Sequence, residues 1–308
     1  VSSRAFAGLS PSGGDAAVPL LDLLDHRRGS GAPKDVTYTR EEDGGVRVVA
    51  ARGLEEGREL GDTYGARGNA ALLVRYGFCL EGNAEPDGSS NDAVTYAGGE
   101  GGRPAALRTG PRGYAYGGFA RALDRHRPRR DNGEAERGGG EDMEDFLDLC
   151  DAEEDDDDGF AAMYEADALS DDEDEDDKDH EDDKAMAEEE RGALRGLAVD
   201  LLRLRREGYS LRGSRLREAR AAPPGSRERR AATLVTSEMR TLEFFERAAR
   251  SILARIGDSA GVRKEEEATD GLWEDLEAAE RTVLEAQIAD LVGGYLAVRH
   301  PHILAARD

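Results

Sequence analysis

Residues 63–78 read Thr63-Tyr64-Gly65-Ala66-Arg67-Gly68-Asn69-Ala70-Ala71-Leu72-Leu73-Val74-Arg75-Tyr76-Gly77-Phe78. Leu72, Leu73 and Tyr76 recur at helical spacing, Asn69 is competent to cap the start, and Gly77 ends the run. The stretch predicts one short helix between two turns, each carrying a tyrosine-glycine pair. Upstream the pattern changes to strands. Val36-Thr37-Tyr38-Thr39 and Val46-Arg47-Val48-Val49-Ala50 are β-branched runs flanking Asp43-Gly44-Gly45, which predicts a hairpin. Before them, Val18-Pro19-Leu20-Leu21 leads into Asp22-Leu23-Leu24-Asp25-His26. Residues 1–95 therefore read as a β-rich unit of short strands with one short helix.

Further along the chain the composition shifts three times. Residues 96–140 are rich in glycine and proline and carry a basic stretch from Arg125 to Arg130, so they read as a connector loop. One short helix is expected there, near Phe119–Leu123. Residues 141–190 hold 28 Asp and Glu against Lys178 and Lys184. Self-repelling carboxylates with few apolar residues do not offset the entropy of ordering, so this block reads as disordered, with one amphipathic turn at Phe146-Leu147-Asp148-Leu149. From residue 191 the apolar period becomes helical. Leu194, Leu197, Leu201, Leu202 and Leu204 form one stripe, and Pro223-Pro224-Gly225 separates it from the next. Leu234, Met239, Leu242, Phe245, Ala249, Ile252 and Ile256 form the second stripe. Leu272, Leu276, Ala279, Val283, Ile288, Leu291 and Leu296 form the third. Three amphipathic helices predict a small bundle over residues 191–308. The expected class is α+β.

The formal charge is −25, and the acidic block alone accounts for all of it. The remainder is close to neutral and offers no basic footprint for phosphates, which argues against nucleic acid as the main partner. No apolar run approaches the roughly 18 residues of a membrane span, so no membrane partner is expected either. The two cysteines, Cys79 and Cys150, lie far apart without metal-ligand spacing. They fit a reducing, intracellular compartment and exclude a disulfide framework or a cysteine zinc cluster. Plastid, cytoplasm and nucleus are not separated by these features. The chain begins with Val1, and Ser2-Ser3-Arg4 reads as mid-domain sequence, so part of a longer protein is expected.

Four short signals occur in order in the first ninety residues. They are Ser3-Arg4-Ala5-Phe6; Pro19 to His26; Thr63-Tyr64-Gly65 followed by Asn69; and Tyr76-Gly77-Phe78 followed by Asn83. In this order they resemble the C-terminal part of a SET-domain protein methyltransferase of the Rubisco large-subunit lysine methyltransferase type. The helical region resembles that family's substrate-binding domain, by helix pattern and by Glu238 to Leu253. The resemblance implies a small β-rich SET fold closed by a pseudoknot, whose front portion, with the cofactor loop, would lie upstream of Val1. It implies S-adenosyl-L-methionine as cofactor and a lysine-containing protein as substrate. Residue by residue, it makes Tyr64 the channel tyrosine beside the methyl. Arg4 would meet the donor's carboxylate, and His26 and Phe78 would lie at the adenine. Tyr76 would line the site. Asp25 stands where the family has Asn, and Ala71 where relatives often carry Glu. The charge of Asp25 predicts weaker cofactor binding, because a carboxylate accepts hydrogen bonds but does not donate them.

Each residue also has a plainer reading. Arg4 alone is a solvated surface residue. Tyr64, Tyr76 and Phe78 alone are packing residues at turns, and His26 alone is a packed or surface histidine. The acidic block is either a solvated linker or a lure for basic partners. Its run of four aspartates at 155–158 lacks the spacing of a calcium loop. Arg125 to Arg130 read as an exposed basic loop that pairs with the acidic block. The alternative function is a non-catalytic SET-derived interaction protein that recruits basic partners through residues 141–190 and the bundle.

Overall fold

The structure is a computed structural model that describes residues 5–6, 16–27, 35–99, 104–128, 179–257, 273 and 276–305. It is a mixed α+β molecule. Arg4, Leu272, Arg129, Arg130 and residues 141–178 of the acidic block lie outside the described residues.

The N-terminal unit is built from short paired strands. β1 (Ala5–Phe6) pairs antiparallel with β2 (Ala16–Ala17). A single 3-10 turn, Leu21–Leu23, leads to β3 (Asp25–His26). β4 (Val36–Arg40) and β5 (Val46–Ala50) form the expected antiparallel hairpin, in register from Val36 opposite Ala50 to Arg40 opposite Val46. The Asp43 side chain closes its turn by accepting from the Gly45 N–H at 2.9 Å. The chain then returns through β6 (Gly61–Asp62), which pairs with β3 in parallel, His26 opposite Asp62. Parallel neighbours need a crossover connection. Here the β4–β5 hairpin occupies that crossover.

Asp35 ties this crossover down. Its side chain is fully buried and accepts from the Gly61 N–H at 2.9 Å and from Arg52. Arg27 and Arg52 stand within 3.0 and 2.5 Å of its oxygens. The Gly61 amide, and then the arginines, hold its carboxyl below the usual carboxylate range.

Helix α1 (Asn69–Tyr76) coincides with the sequence expectation, but its cap does not. Gly68 is the N-cap, and Asn69 is the first helical residue with a buried side chain. Gly77 ends the helix in the left-handed region at φ 79°, its N–H bonding to the carbonyls of Leu72 and Leu73. Glycine enters that region without the Cβ penalty.

The loop reading is corrected over residues 105–124, where the helix expected near Phe119–Leu123 is present but longer; residues 129–140 lie outside the described residues. β7 (Ala93–Tyr96) and β8 (Ala105–Arg108) form an antiparallel hairpin, and α2 spans Arg112–Asp124. The high glycine content that suggested loop serves close packing instead. A Cβ on Gly118 would lie 2.4 Å from the Ala106 carbonyl oxygen, so only glycine lets α2 sit this near β8. Arg125 and His126 are likewise not a free basic loop. Arg125 donates to the Gly98 and Ala97 carbonyls, and His126 Nε2 lies 2.5 Å from the Tyr96 hydroxyl. Asp200 completes that group, 3.3 Å from the same hydroxyl.

The helical region consists of α3 (Asp179–Glu207), α4 (Gly213–Arg220), α5 (Arg227–Arg255), α6 (Ala278–Arg299) and the short α7 (Pro301–Ala305). Ser226 caps α5, its hydroxyl accepting from the Arg229 N–H at 3.1 Å. α3 starts inside the acidic block, earlier than the apolar stripe shows, because its first turns are carried by charged residues. The first two stripes are buried as expected, apart from the half-buried Leu204 and Leu234. In the third, Leu276, Ile288, Leu291 and Leu296 are buried, whereas Ala279 and Val283 between them are exposed. One core joins the β7–β8 hairpin, α2 and the helices, with Phe119, Phe245 and Tyr295 at its centre. The rings of Phe119 and Phe245 stack at 6.3 Å, and Tyr295 meets Phe119 edge-on at 5.7 Å. Each such ring contributes about 1.5–3 kcal/mol by leaving water. No helix among the described residues is long and apolar enough to cross a membrane.

Candidate functional site

β3, β6 and α1 bring together four of the residues singled out in the sequence. The rings of Tyr64 and Tyr76 stack at 4.6 Å, and His26 stacks on Tyr64 at 5.0 Å. Phe78 lies 5.9 Å from His26, 6.3 Å from Tyr64 and 6.2 Å from Tyr76. The convergence follows from local structure. The parallel pairing puts the turn after β6 beside His26. The eight residues of α1 then carry the chain from the first tyrosine-glycine pair back to the second, and Gly77 reverses it so that Phe78 faces the same cluster.

Hydrogen bonds fix the centre of this cluster. The Tyr64 N–H donates to His26 Nδ1 at 3.0 Å. The Tyr64 hydroxyl donates to the Leu24 carbonyl at 2.6 Å. Arg67 Nε donates to the Tyr64 carbonyl, also at 2.6 Å. Burial, and then the Arg67 charge, hold the His26 pKa below its ordinary value, with Glu85 opposing. His26 is thus a neutral imidazole at neutral pH, and because Nδ1 accepts, its proton sits on Nε2.

Asp25 is placed apart from these rings. Strand alternation turns it to the other side from His26, and its side chain is exposed. Ala71 is buried inside α1. Arg4 lies outside the described residues, so its expected place at a carboxylate has no geometry here.

The two motif asparagines have a role that their spacing did not reveal. Asn69 and Asn83 converge on Asp92, which is buried. The Asp92 carboxylate accepts from the Asn69 N–H at 2.5 Å, from Asn69 Nδ2 at 2.9 Å and from Asn83 Nδ2 at 3.2 Å. It also accepts from the Ser237 hydroxyl of α5. Asn69 in turn bonds both backbone groups of Leu80. Burial pushes the carboxyl of Asp92 up, and these donors counter it. Nearby Glu238 is also raised, first by burial, and is bonded by Tyr209. This hub ties the aromatic cluster's helix to the helical region. Arg230 reinforces the joint by donating to the Gly77 carbonyl. Asn91-Asp92 sits among turn residues in the sequence, which is why it reads as loop rather than as a junction.

Chemically, the cluster offers four aromatic rings, with the Tyr64 hydroxyl oxygen beside the Leu24 carbonyl. Such a set attracts cations and excludes water. Among the described residues, no group of three or more His, Cys, Asp or Glu side chains is arranged to hold a metal ion. No protein-family model matches this chain, and neither a curated protein nor a solved structure matches it.

Proposed function

We propose that the protein is an S-adenosyl-L-methionine-dependent protein methyltransferase acting on a lysine side chain of a protein substrate. In this reading residues 1–95 are the C-terminal part of a SET fold with its pseudoknot, and residues 191–308 dock the substrate. The observation that supports it is the convergence of His26, Tyr64, Tyr76 and Phe78 from separate segments into one hydrogen-bonded aromatic group. The parallel β3–β6 pairing sets the segment at His26 beside the segment that leads into Tyr64, which is compatible with this reading.

The residues suit the cofactor's chemistry. S-adenosyl-L-methionine, when bound, supplies an activated methyl on a sulfonium. The rings of Tyr76 and Phe78 and the edge of Tyr64 attract that cation and shield it from water. His26, being neutral, adds no repulsion. The Tyr64 hydroxyl gives its proton to Leu24, so its lone pairs, with the second lone pair of the Leu24 carbonyl, present an edge of oxygen acceptors. Acceptors of this kind hold polarised C–H groups by weak contacts. Holding donor and amine in line and dry is the main requirement of the transfer. Arg4 would meet the donor's carboxylate, and Asp25 would contribute charge from the strand edge.

The exposed carboxylate of Asp25, where the family has Asn, favours a second reading: a non-catalytic protein that binds basic partners through its acidic block and bundle. Methyl-labelled cofactor and a lysine-rich protein mixture separate the two. The expected result is label on protein, reduced at least tenfold by Tyr64→Phe with an unchanged circular dichroism spectrum. Equal incorporation by Tyr64→Phe removes the assignment of Tyr64, and absence of incorporation by the unsubstituted chain favours the second reading.

A further inference from the structure

The passage from α4 into α5 concentrates positive charge on a chain whose net charge is −25. Residues 208–230 hold seven arginines against Glu218 and Glu228, a net of +5. Several arginines of the bundle are matched by carboxylates: Arg203 by Asp200, Arg205 by Glu243 and Glu246, Arg240 by Glu280. On α4 the matching stops. Arg215, Arg217 and Arg227 are exposed, and no described residue forms a hydrogen bond or ion pair with their side chains. Arg212 is exposed as well. It donates to the backbone carbonyl of Arg206 and has no carboxylate partner among the described residues.

Packing sets this arrangement. Leu216 and Ala219 are the buried residues of α4, and they pack on Ala232 and Met239 of α5. Helical spacing turns the positions between them outward. The eight residues of α4 extend about 12 Å, and the turn that follows adds Arg227 at one end. The four cations therefore form a strip longer than the screening length of about 8 Å at physiological salt. They repel one another unless opposite charge lies among them. Every cation of the strip is an arginine, and a guanidinium grips a carboxylate through two parallel N–H donors. Nucleic acid fits less well. A duplex carries one negative charge per about 1.7 Å, dense enough to press on Glu218 and Glu228. A single strand stacks its bases on aromatic rings. The one aromatic residue of 208–230 is Tyr209, which is half-buried and bonded to Glu238. The carboxylates of an acidic polypeptide ride on flexible side chains, which reach the arginines and pass over the two glutamates.

We propose that the exposed side of α4 and the start of α5 form a docking surface for an acidic polypeptide segment, with Arg212, Arg215, Arg217 and Arg227 as its contacts. The surface is independent of the methyl-transfer reading.

The test is fluorescence anisotropy of a fluorescein-labelled peptide of alternating Glu and Gly, titrated with the full chain at low ionic strength. Saturable binding is expected, and it is expected to weaken as salt is raised, because exposed charges are screened. Arg215→Gln combined with Arg217→Gln is expected to weaken it about fivefold, with an unchanged melting temperature. Arg255→Gln combined with Arg299→Gln alters the net charge equally at the C-terminal ends of α5 and α6. That pair is expected to change binding less than about twofold. Absence of saturable binding overturns the proposal, whether the surface is inert or is taken by the chain's own residues 141–178. Equal weakening by the two double variants also overturns it, since net charge alone then decides. Tighter binding of a single-stranded oligonucleotide with the same number of charges overturns it as well, by making the strip a nucleic-acid surface.

Discussion

His26 is where environment and role meet. Its ring is packed on Tyr64, its Nδ1 is taken by the Tyr64 N–H, and burial with Arg67 lowers its pKa. A lowered folded pKa makes a definite pH signature. The unfolded chain takes up the proton near the ordinary value of about 6.5, while the folded chain resists it. The stability this group contributes is therefore complete above about pH 6.5 and declines as the pH falls through the lower folded value. In urea titrations from pH 8 to pH 5, the unsubstituted chain is expected to lose more stability than His26→Gln, the difference opening below about pH 6.5. Parallel curves would contradict this environment. At this scale much was legible. Tyr64, Tyr76, Phe78 and His26 were marked by the order of the motifs that carry the resemblance, and they do come together. Asp25 did not join them, because strand alternation sends neighbours to opposite sides. The Leu24 carbonyl was invisible, since a backbone acceptor leaves no mark in the side-chain pattern.

At the scale of elements, short local signals served well and long-range satisfaction did not. The β4–β5 hairpin and the limits of α1 follow from β-branched runs, a Gly-Gly turn and a left-handed glycine stop, all of which act within a few residues. Asn69 shows the limit. By spacing it is a helix cap, but Gly68 takes that position and Asn69 becomes part of the Asp92 hub. Nothing local distinguishes the two, because the deciding partners are Leu80, Asp92 and the rest of the buried junction. The missed hairpin and the underestimated length of the helix that follows it have the same cause: Gly118 looks like a breaker until β8 is placed against it. The hub can be tested by Asp92→Ala. Removing the carboxylate strands buried donors of Asn69 and Asn83, at about 1–3 kcal/mol. Chemical denaturation is expected to show a loss of about 3 kcal/mol, and a loss under 0.5 kcal/mol would show that the junction does not depend on it.

For the whole molecule, the apolar stripes marked the three long helices but neither the short α4 and α7 nor the buried charges. Arg205 of α3 lies 3.1 Å from both Glu243 and Glu246 of α5, and all three are buried. Arg247 and Arg250 add further pairs, and Arg247 also lies 4.4 Å over the Trp273 ring. In the sequence these residues look like the solvated faces of two helices. They are interior because the faces meet. Breaking such a network from one side leaves an uncompensated buried charge, so Glu243→Ala is expected to cost about 3–5 kcal/mol by urea denaturation. A cost near that of an exposed pair, under about 1 kcal/mol, would place these side chains in water. The two ends of the molecule are joined through α5, which holds this network at one part of its length and the Asp92 junction at another. The aromatic group is thus anchored on a helix with a large core, as a site that must keep its geometry requires. Its proposed purpose is to receive a sulfonium. The most direct measurement is calorimetric titration of S-adenosyl-L-methionine into the full chain and into Tyr76→Ala. The account predicts saturable binding that Tyr76→Ala weakens at least tenfold. Equal binding by both chains, or no heat from either, would contradict it.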